Sequence, residues 1–304
     1  MDWGQNQGKQ CVNLVLTVLE TVAPVFILGA VGFAWVRLGF EYRLQFVTRL
    51  AADLATPCLI FTALMTSEIA PQALTEISLA AFTAYTVVSL VLFGVVRITG
   101  LTRRTYLAPM IFGNTGNLGM PLALFAFGNQ GLGYAVVVFA VGAVCTFTYG
   151  VWLVSGGGSP WRVLRQPLVV STLLGALFLS QGWETPRFLT NALELIGQMA
   201  IPMMLITLGV AVARLKISRI GLPVALSLTK FAVCASIGWA VASAFSLDGT
   251  AFAVLVLQMA TPVAVTSYLL AEKYNADSDA VAGLVVVSTL VSVFTLPMLL
   301  AIVI

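Results

Sequence analysis

The chain has 304 residues, of which 60% are hydrophobic and only 9% are charged, and its mean hydropathy is +1.01. A soluble domain carries roughly 25% charged residues, so a soluble fold would have too little polar surface to cover this much apolar surface. The net charge of +3 comes without a basic cluster among exposed aromatic residues, which argues against nucleic-acid binding. Histidine is absent, which excludes His-based catalytic triads and His-ligated zinc.

Apolar segments fill the whole chain, and each is near the ~20 residues that a helix needs to cross a bilayer. They cover residues 12–36, 44–66, 73–96, 105–128, 131–154, 167–181, 189–212, 220–245, 250–271 and 280–303. A Gly-, Ser- and Pro-containing connection at 155–166 divides them into five-segment halves, 1–154 and 167–304. The sequence therefore predicts an all-α polytopic membrane protein with ten transmembrane helices.

Lys and Arg residues lie almost entirely on one side of these predicted spans. Twelve of the 15 fall in or beside the odd-numbered connections, whereas the other side holds only Lys9 and Arg187. Cytoplasmic connections are the ones that carry excess Lys and Arg. The pattern predicts a multi-pass protein of the cell (inner) membrane, with a cytoplasmic linker at 155–166 and both termini on the external side.

Prolines recur at equivalent places in the two halves. Pro24, Pro57 and Pro121 of the first half are followed 143, 145 and 141 residues later by Pro167, Pro202 and Pro262. Because each half has five spans, an odd number, the second half must enter the membrane from the opposite side. The spacing predicts an inverted repeat, an architecture that can present a central site alternately to the two faces.

The fourth and ninth predicted spans are interrupted near their middles. Gly costs ~1 kcal/mol and Pro ~3 kcal/mol in a helix interior, and freed backbone groups survive in a membrane only within protein or beside a watery cavity. We expect two broken helices that cross, with N-terminal ends suited to an anion. In this interpretation Thr261 is an N-cap and Pro262 the first helical residue. Close helix packing is the alternative interpretation. The candidate substrate-binding residues are Asn114, Thr115, Gly116, Asn117, Gly119, Pro121, Thr261, Pro262, Thr266 and Ser267.

Lys230 lies about ten residues from either end of the eighth predicted span. A charge at the bilayer centre costs ~2.5–3.5 kcal/mol on insertion scales, so it should be paired or functional. We consider Asp53, Glu194 and Glu20 as partners. Alternatively Lys230 binds the substrate, carries a proton or replaces a sodium ion; Asp53 and Glu194 are weaker candidates for such a charge relay.

The stretch Asn-Thr-Gly-Asn-Leu-Gly-Met-Pro at 114–121 resembles the fourth-span signature of the auxin efflux carrier family. The run from Ala260 through Ala271–Tyr274 to Ser288 and Pro297 is similar too. The resemblance implies a secondary carrier of organic anions, such as malonate, malate or auxin, with a fold related to bile-acid sodium symporters. It also implies an elevator mechanism, with spans 1, 2, 6 and 7 as scaffold and spans 3–5 and 8–10 as transport domain.

Other functions agree less well with the sequence. A sodium-coupled symporter of the bile-acid type would need acidic residues near the crossing, but residues 107–128 and 250–271 contain none. An intramembrane enzyme would need a histidine base or two facing aspartates, and a passive channel would not need two anion-seeking breaks. We expect no cofactor and no metal. The anion, coupling to H⁺, the direction of transport and assembly as a homodimer stay open.

Overall fold

The computed structural model describes the backbone of residues 3–67, 69–155, 167–215 and 220–304. The first half of the chain forms α1 (Trp3–Arg37), α2 (Leu44–Met65), α3 (Pro71–Ile98), α4 (Arg103–Ile111) and α5 (Thr115–Ser155). The second half forms α6 (Pro167–Gln181), α7 (Arg187–Arg214), α8 (Gly221–Ala244), α9 (Gly249–Met259), α10 (Val265–Lys273) and α11 (Ser278–Val303). The linker predicted at 155–166 lies outside the described residues from position 156 onward.

Within the described ranges, seven of these helices are long and apolar enough to cross a membrane, and α6 and α9 are shorter apolar helices. Large apolar side chains such as Phe294 and Leu90, 79% and 69% exposed, lie on their outer surfaces. In water such side chains would be costly to expose in this number, whereas lipid solvates them. The prediction of an all-α membrane protein is confirmed.

Two of the matched prolines lie beside irregularities inside their helices. Pro57 follows a π-helical stretch, Leu50–Ala55, because proline cannot donate a hydrogen bond to the preceding turn. The Thr56 hydroxyl donates instead to the Ala51 carbonyl at 2.7 Å. In α7, the regular helix is interrupted at Met199, three residues before Pro202.

The sequence predicts that the fourth span ends at residue 128 and that the fifth begins at residue 131. In the structure, both of these positions lie within the single helix α5. Gly128 has φ 63° and ψ −154°, a conformation outside the helical range, and the chain changes direction there. Glycine adopts positive φ without the Cβ clash that other residues suffer. The two predicted segments therefore meet at a glycine kink rather than at an ordinary loop.

The helices pack in two groups, which we call group A (α1, α2, α6 and α7) and group B (α3–α5 and α8–α11). In group A, α1 lies along α7 and α2 packs against both α6 and α7. The crossing of α1 and α7 is close, since a side chain at Gly209 would collide with the Gly29 carbonyl. In group B, α5 packs on α3 and α9, and α8 packs on α9 and α11. The two groups meet mainly through α5.

Candidate functional site

The two helix interruptions meet inside group B. Between α4 and α5 the backbone is extended at Phe112, and Gly113 forms an antiparallel β-bridge with Val263 from the gap between α9 and α10. The Asn114 N–H donates to the Pro262 carbonyl at 2.7 Å, and the Ala264 N–H donates to the Phe112 carbonyl at 3.5 Å. Each break thus supplies partners for backbone groups that the other leaves free, as apolar surroundings require.

Two helices start at this crossing. Asn114 precedes α5, and its carbonyl accepts hydrogen bonds from the Leu118 and Gly119 amides, both at 3.1 Å. Ala264, in an extended conformation, precedes α10. The first amides of a helix have no acceptor within it, and the N-terminal end carries partial positive charge. The amides of Thr115, Gly116 and Val265 belong to these first turns.

The predicted N-cap of the second break is wrong. Helix α10 begins at Val265, with Ala264 as its N-cap, rather than at Pro262. The Thr261 hydroxyl donates to the Gln258 carbonyl at 2.7 Å, so this side chain terminates α9 instead of opening α10. The reason is the β-bridge, which keeps the residues after Thr261 extended and delays the next helix.

A cavity of about 640 Å³ lies between the two helix groups, and the crossing forms part of its wall. Five of the predicted substrate-binding residues line it: Asn114, Thr115, Gly116, Asn117 and Thr266. The rest of the wall includes aromatic side chains: Tyr85, Phe112, Phe139, Phe147 and Tyr268. The Asn114 side chain is 4% exposed, and its Nδ2 has no hydrogen-bond partner in the described structure. This amide is therefore a buried donor without an acceptor.

The other predicted substrate-binding residues lie behind the cavity wall. Pro121 is buried in the first turn of the regular α-helical part of α5. Ser267 is buried in α10, and its amide donates to the Ala264 carbonyl. Thr261 and Pro262 line a second, small cavity together with Lys230. These residues shape the crossing, whereas the five named above face the large cavity.

Gly119 packs against a buried side chain that the sequence analysis did not consider. Gln258 of α9 is fully buried, and its Nε2 donates to the Ala135 carbonyl of α5 at 3.2 Å. A side chain at Gly119 would collide with the Gln258 Oε1. Gln258 thus joins α9 to α5 just before the break. A single glutamine within an apolar span was the sequence feature that could have indicated a buried polar contact here.

Two exposed arginines belong to the lining of the large cavity. Arg49 of α2 and Arg214 of α7 were counted in the sequence only as indicators of orientation, so their place in the cavity wall was missed. The Arg214 Nη2 donates to the Tyr42 carbonyl at 2.6 Å, and the Tyr42 hydroxyl bonds Thr207 Oγ1 at 2.8 Å. Burial raises the pKa of Tyr42, which the Thr207 hydrogen bond and the Arg214 charge oppose, so this hydroxyl stays neutral at physiological pH.

Lys230 is 2% exposed in the middle of α8, and it lines the small cavity and not the large one. Its Nζ donates to the Met110 carbonyl at 3.0 Å, in the last turn of α4. The suggested pairing with an acid is wrong, since the ion pair that the described part of the chain contains joins Arg43 to Glu41. The three suggested partners are exposed on group A helices: Glu20 on α1, Asp53 on α2 and Glu194 on α7.

Comparison with known proteins finds one family domain twice in the chain. The profile of a family described as membrane transport protein matches residues 17–160 and again residues 155–300. The predicted division into two repeats and the absence of an enzymatic function agree with this family of transporters.

Three relatives carry transporter names. An uncharacterized transporter of Methanothermobacter thermautotrophicus is 26% identical, over 92% of this chain and 96% of its own length. An uncharacterized transporter of Methanocaldococcus jannaschii is 23% identical, over 61% of this chain and 64% of its own length. A Rhizobium meliloti protein, provisionally named a malonate transporter, is 24% identical over 60% of this chain and 62% of its own length. The chain thus aligns with just under two thirds of the latter two relatives.

Proposed function

Because the chain belongs to the auxin efflux carrier family of membrane transporters, we propose that it is a secondary carrier of a small organic anion. The anion binds at the crossing of the two breaks and is released to either face by alternating access. The observation that carries this proposal is the buried Asn114 Nδ2, which has no acceptor and belongs to a residue of the large cavity's wall. A carboxylate oxygen is an acceptor that would satisfy it.

The electrostatics of the cavity favour an anion over a cation. The amides of Thr115, Gly116 and Val265, at two helix N-termini, contribute partial positive charge. Arg49 and Arg214 add two full positive charges to the wall, and the described lining contains no Asp or Glu. An anion entering past the arginines would move toward the helix N-termini, with a favourable potential along the whole path.

Malonate is a reasonable first substrate to test, because the Rhizobium meliloti relative carries the name of a malonate transporter. A small dicarboxylate would present one carboxylate to Asn114 and the helix ends. The second carboxylate would extend toward the arginines. Malate and aromatic monocarboxylates share the first interaction and serve as comparison substrates.

For the motion, we propose that group A is a scaffold and that group B moves as the transport domain. In this scheme the chain has ten spans in two inverted repeats, with both termini outside and the arginine-lined end of the cavity facing the cytoplasm. The arrangement of the crossing supports it, since both breaks and both helix N-termini belong to group B. The anion site would then move as one unit past α1, α2, α6 and α7.

The experiment is transport by the purified full-length protein in proteoliposomes. A thermal-shift screen of mono- and dicarboxylates selects ligands, and counterflow of labelled malonate tests the first of them. We expect saturable counterflow that unlabelled ligand competes away. Flux that rises linearly with concentration would indicate a channel, and no flux with any stabilising carboxylate would contradict the proposal.

A further inference from the structure

Lys230 is a buried amine with neutral groups around it. The groups within its hydrogen-bonding reach are the Met110 carbonyl at 3.0 Å and the Cys234 Sγ at 4.0 Å. The small cavity beside it is lined by hydroxyl side chains and backbone of Ser227, Thr261, Ser288 and Ser292, among others. None of these groups is an acid, so the described surroundings supply no counter-charge to a protonated Lys230.

The position of this charge follows from the break itself. In a continuous helix the Met110 carbonyl would accept a hydrogen bond from the Asn114 amide, four residues later. That amide instead donates to the Pro262 carbonyl in the crossing. The Met110 carbonyl is therefore free for Lys230, and a cation at the C-terminal end of a helix is favourable. The ammonium compensates at α4 for a hydrogen bond that the crossing removed.

We propose that Lys230 is the resident cation of the crossing and moves with it. Its ammonium offsets part of the negative charge of a bound anion, in the place of a co-transported cation. Group B contains Lys230, the two breaks and the N-termini of α5 and α10. Without a bound anion, group B therefore carries one positive charge inside the membrane. This inference rests on the proposed motion of group B, but it does not depend on which anion is carried.

A charge that moves within the membrane responds to the membrane potential, and this response can be measured without substrate. A Thr48→Cys reporter lines the cavity on α2, in group A. Cys11, Cys58 and Cys145 are replaced by alanine, and the fully buried Cys234 is kept. Thr48 is next to Arg49, at the end of the cavity that we place on the cytoplasmic side, so a membrane-impermeant maleimide enclosed in the proteoliposomes labels the reporter in molecules whose cytoplasmic face and open cavity face the interior. A K⁺ gradient with valinomycin sets the potential.

We expect an interior-negative potential to speed labelling of the parent reporter protein from the interior, because it draws the charge of group B inward and opens the cavity to that side. The limit is about 50-fold per 100 mV, for one charge that crosses the whole potential. Lys230→Gln should make labelling independent of potential, whereas Lys230→Arg should keep the parent response. Lys273→Gln, the same charge removal at the end of α10, is the matched control and should behave like the parent.

Three results would overturn the inference. Labelling of the parent that does not respond to potential would mean that no charge moves. A Lys230→Gln protein with the parent response would assign the moving charge to another residue. If Lys230→Gln fails to fold, carboxylate counterflow by the parent protein is measured in Na⁺ and again in choline. A counterflow rate at least tenfold lower in choline would show that a co-transported cation accompanies the anion, and this would overturn the inference. Failure of the proposed function differs from these, since it leaves voltage-dependent labelling without carboxylate counterflow.

Discussion

Replacing Asn114 by alanine tests the anion site most directly. The Nδ2 has no partner in the described structure, so its loss breaks no hydrogen bond within the protein. A hydrogen bond to a charged group contributes roughly 1.5–3 kcal/mol, which corresponds to about 10- to 150-fold in affinity. We expect Asn114→Ala to weaken carboxylate binding by this factor and to change the free energy of unfolding by less than ~1 kcal/mol.

The isosteric change Asn114→Asp gives a stronger expectation. A carboxylate at this position would repel the anion and reverse the favourable potential of the two helix N-termini, so binding should be lost. Binding is measured by isothermal titration with malonate, or with the carboxylate that stabilises the parent most, and folding by the melting temperature in detergent. Asn191→Ala, on the exposed face of α7, is the matched control and should bind like the parent.

Three results would refute the reasoning about Asn114. Parent-like affinity in Asn114→Ala would show that the buried Nδ2 does not contact the anion. A melting temperature lowered as much as the affinity would show that Asn114 supports the crossing rather than the ligand. Asn114→Asp that still binds would mean that the carboxylate lies elsewhere in the cavity, for example beside Arg49 and Arg214.

Two further predictions concern packing and orientation. Gly119→Ala should destabilise the protein by about 1–3 kcal/mol, because the new methyl group collides with the Gln258 side chain. The melting temperature should recover in part when Gln258→Ala is added, and Gly94→Ala, where a methyl group meets open space, should not destabilise by such a clash. For orientation, an impermeant thiol reagent added to intact cells should label Phe188→Cys and not Thr102→Cys. The opposite labelling pattern would invert the proposed topology.

The sequence was sufficient to predict the class of protein and the places where its helices are irregular or interrupted. Composition required lipid as the solvent, because too few polar residues are present to cover the apolar ones. Proline and glycine mark irregular backbone through local chemistry: a missing donor at Pro57 and a positive φ at Gly128. Such constraints act within a few residues of one another, and a sequence pattern therefore contains them.

The start of the second half-helix shows the limit of that reasoning. Thr261 and Pro262 have the side chains of a helix start, yet α10 begins only at Val265. The residues between them are held extended by the bridge from Gly113 to Val263, which joins positions 150 residues apart. A local pattern could not contain that contact, since it exists only when both breaks cross.

Charge placement divides in the same way. The sequence determined that Lys230 is deep in an apolar span and that Arg49 and Arg214 end two others. Only the tertiary structure decided that Lys230 bonds a carbonyl freed by the crossing and that the two arginines line the large cavity. Burial depth follows from neighbours along the chain, whereas a hydrogen-bond partner depends on which helices pack together, and that is decided by long-range contacts.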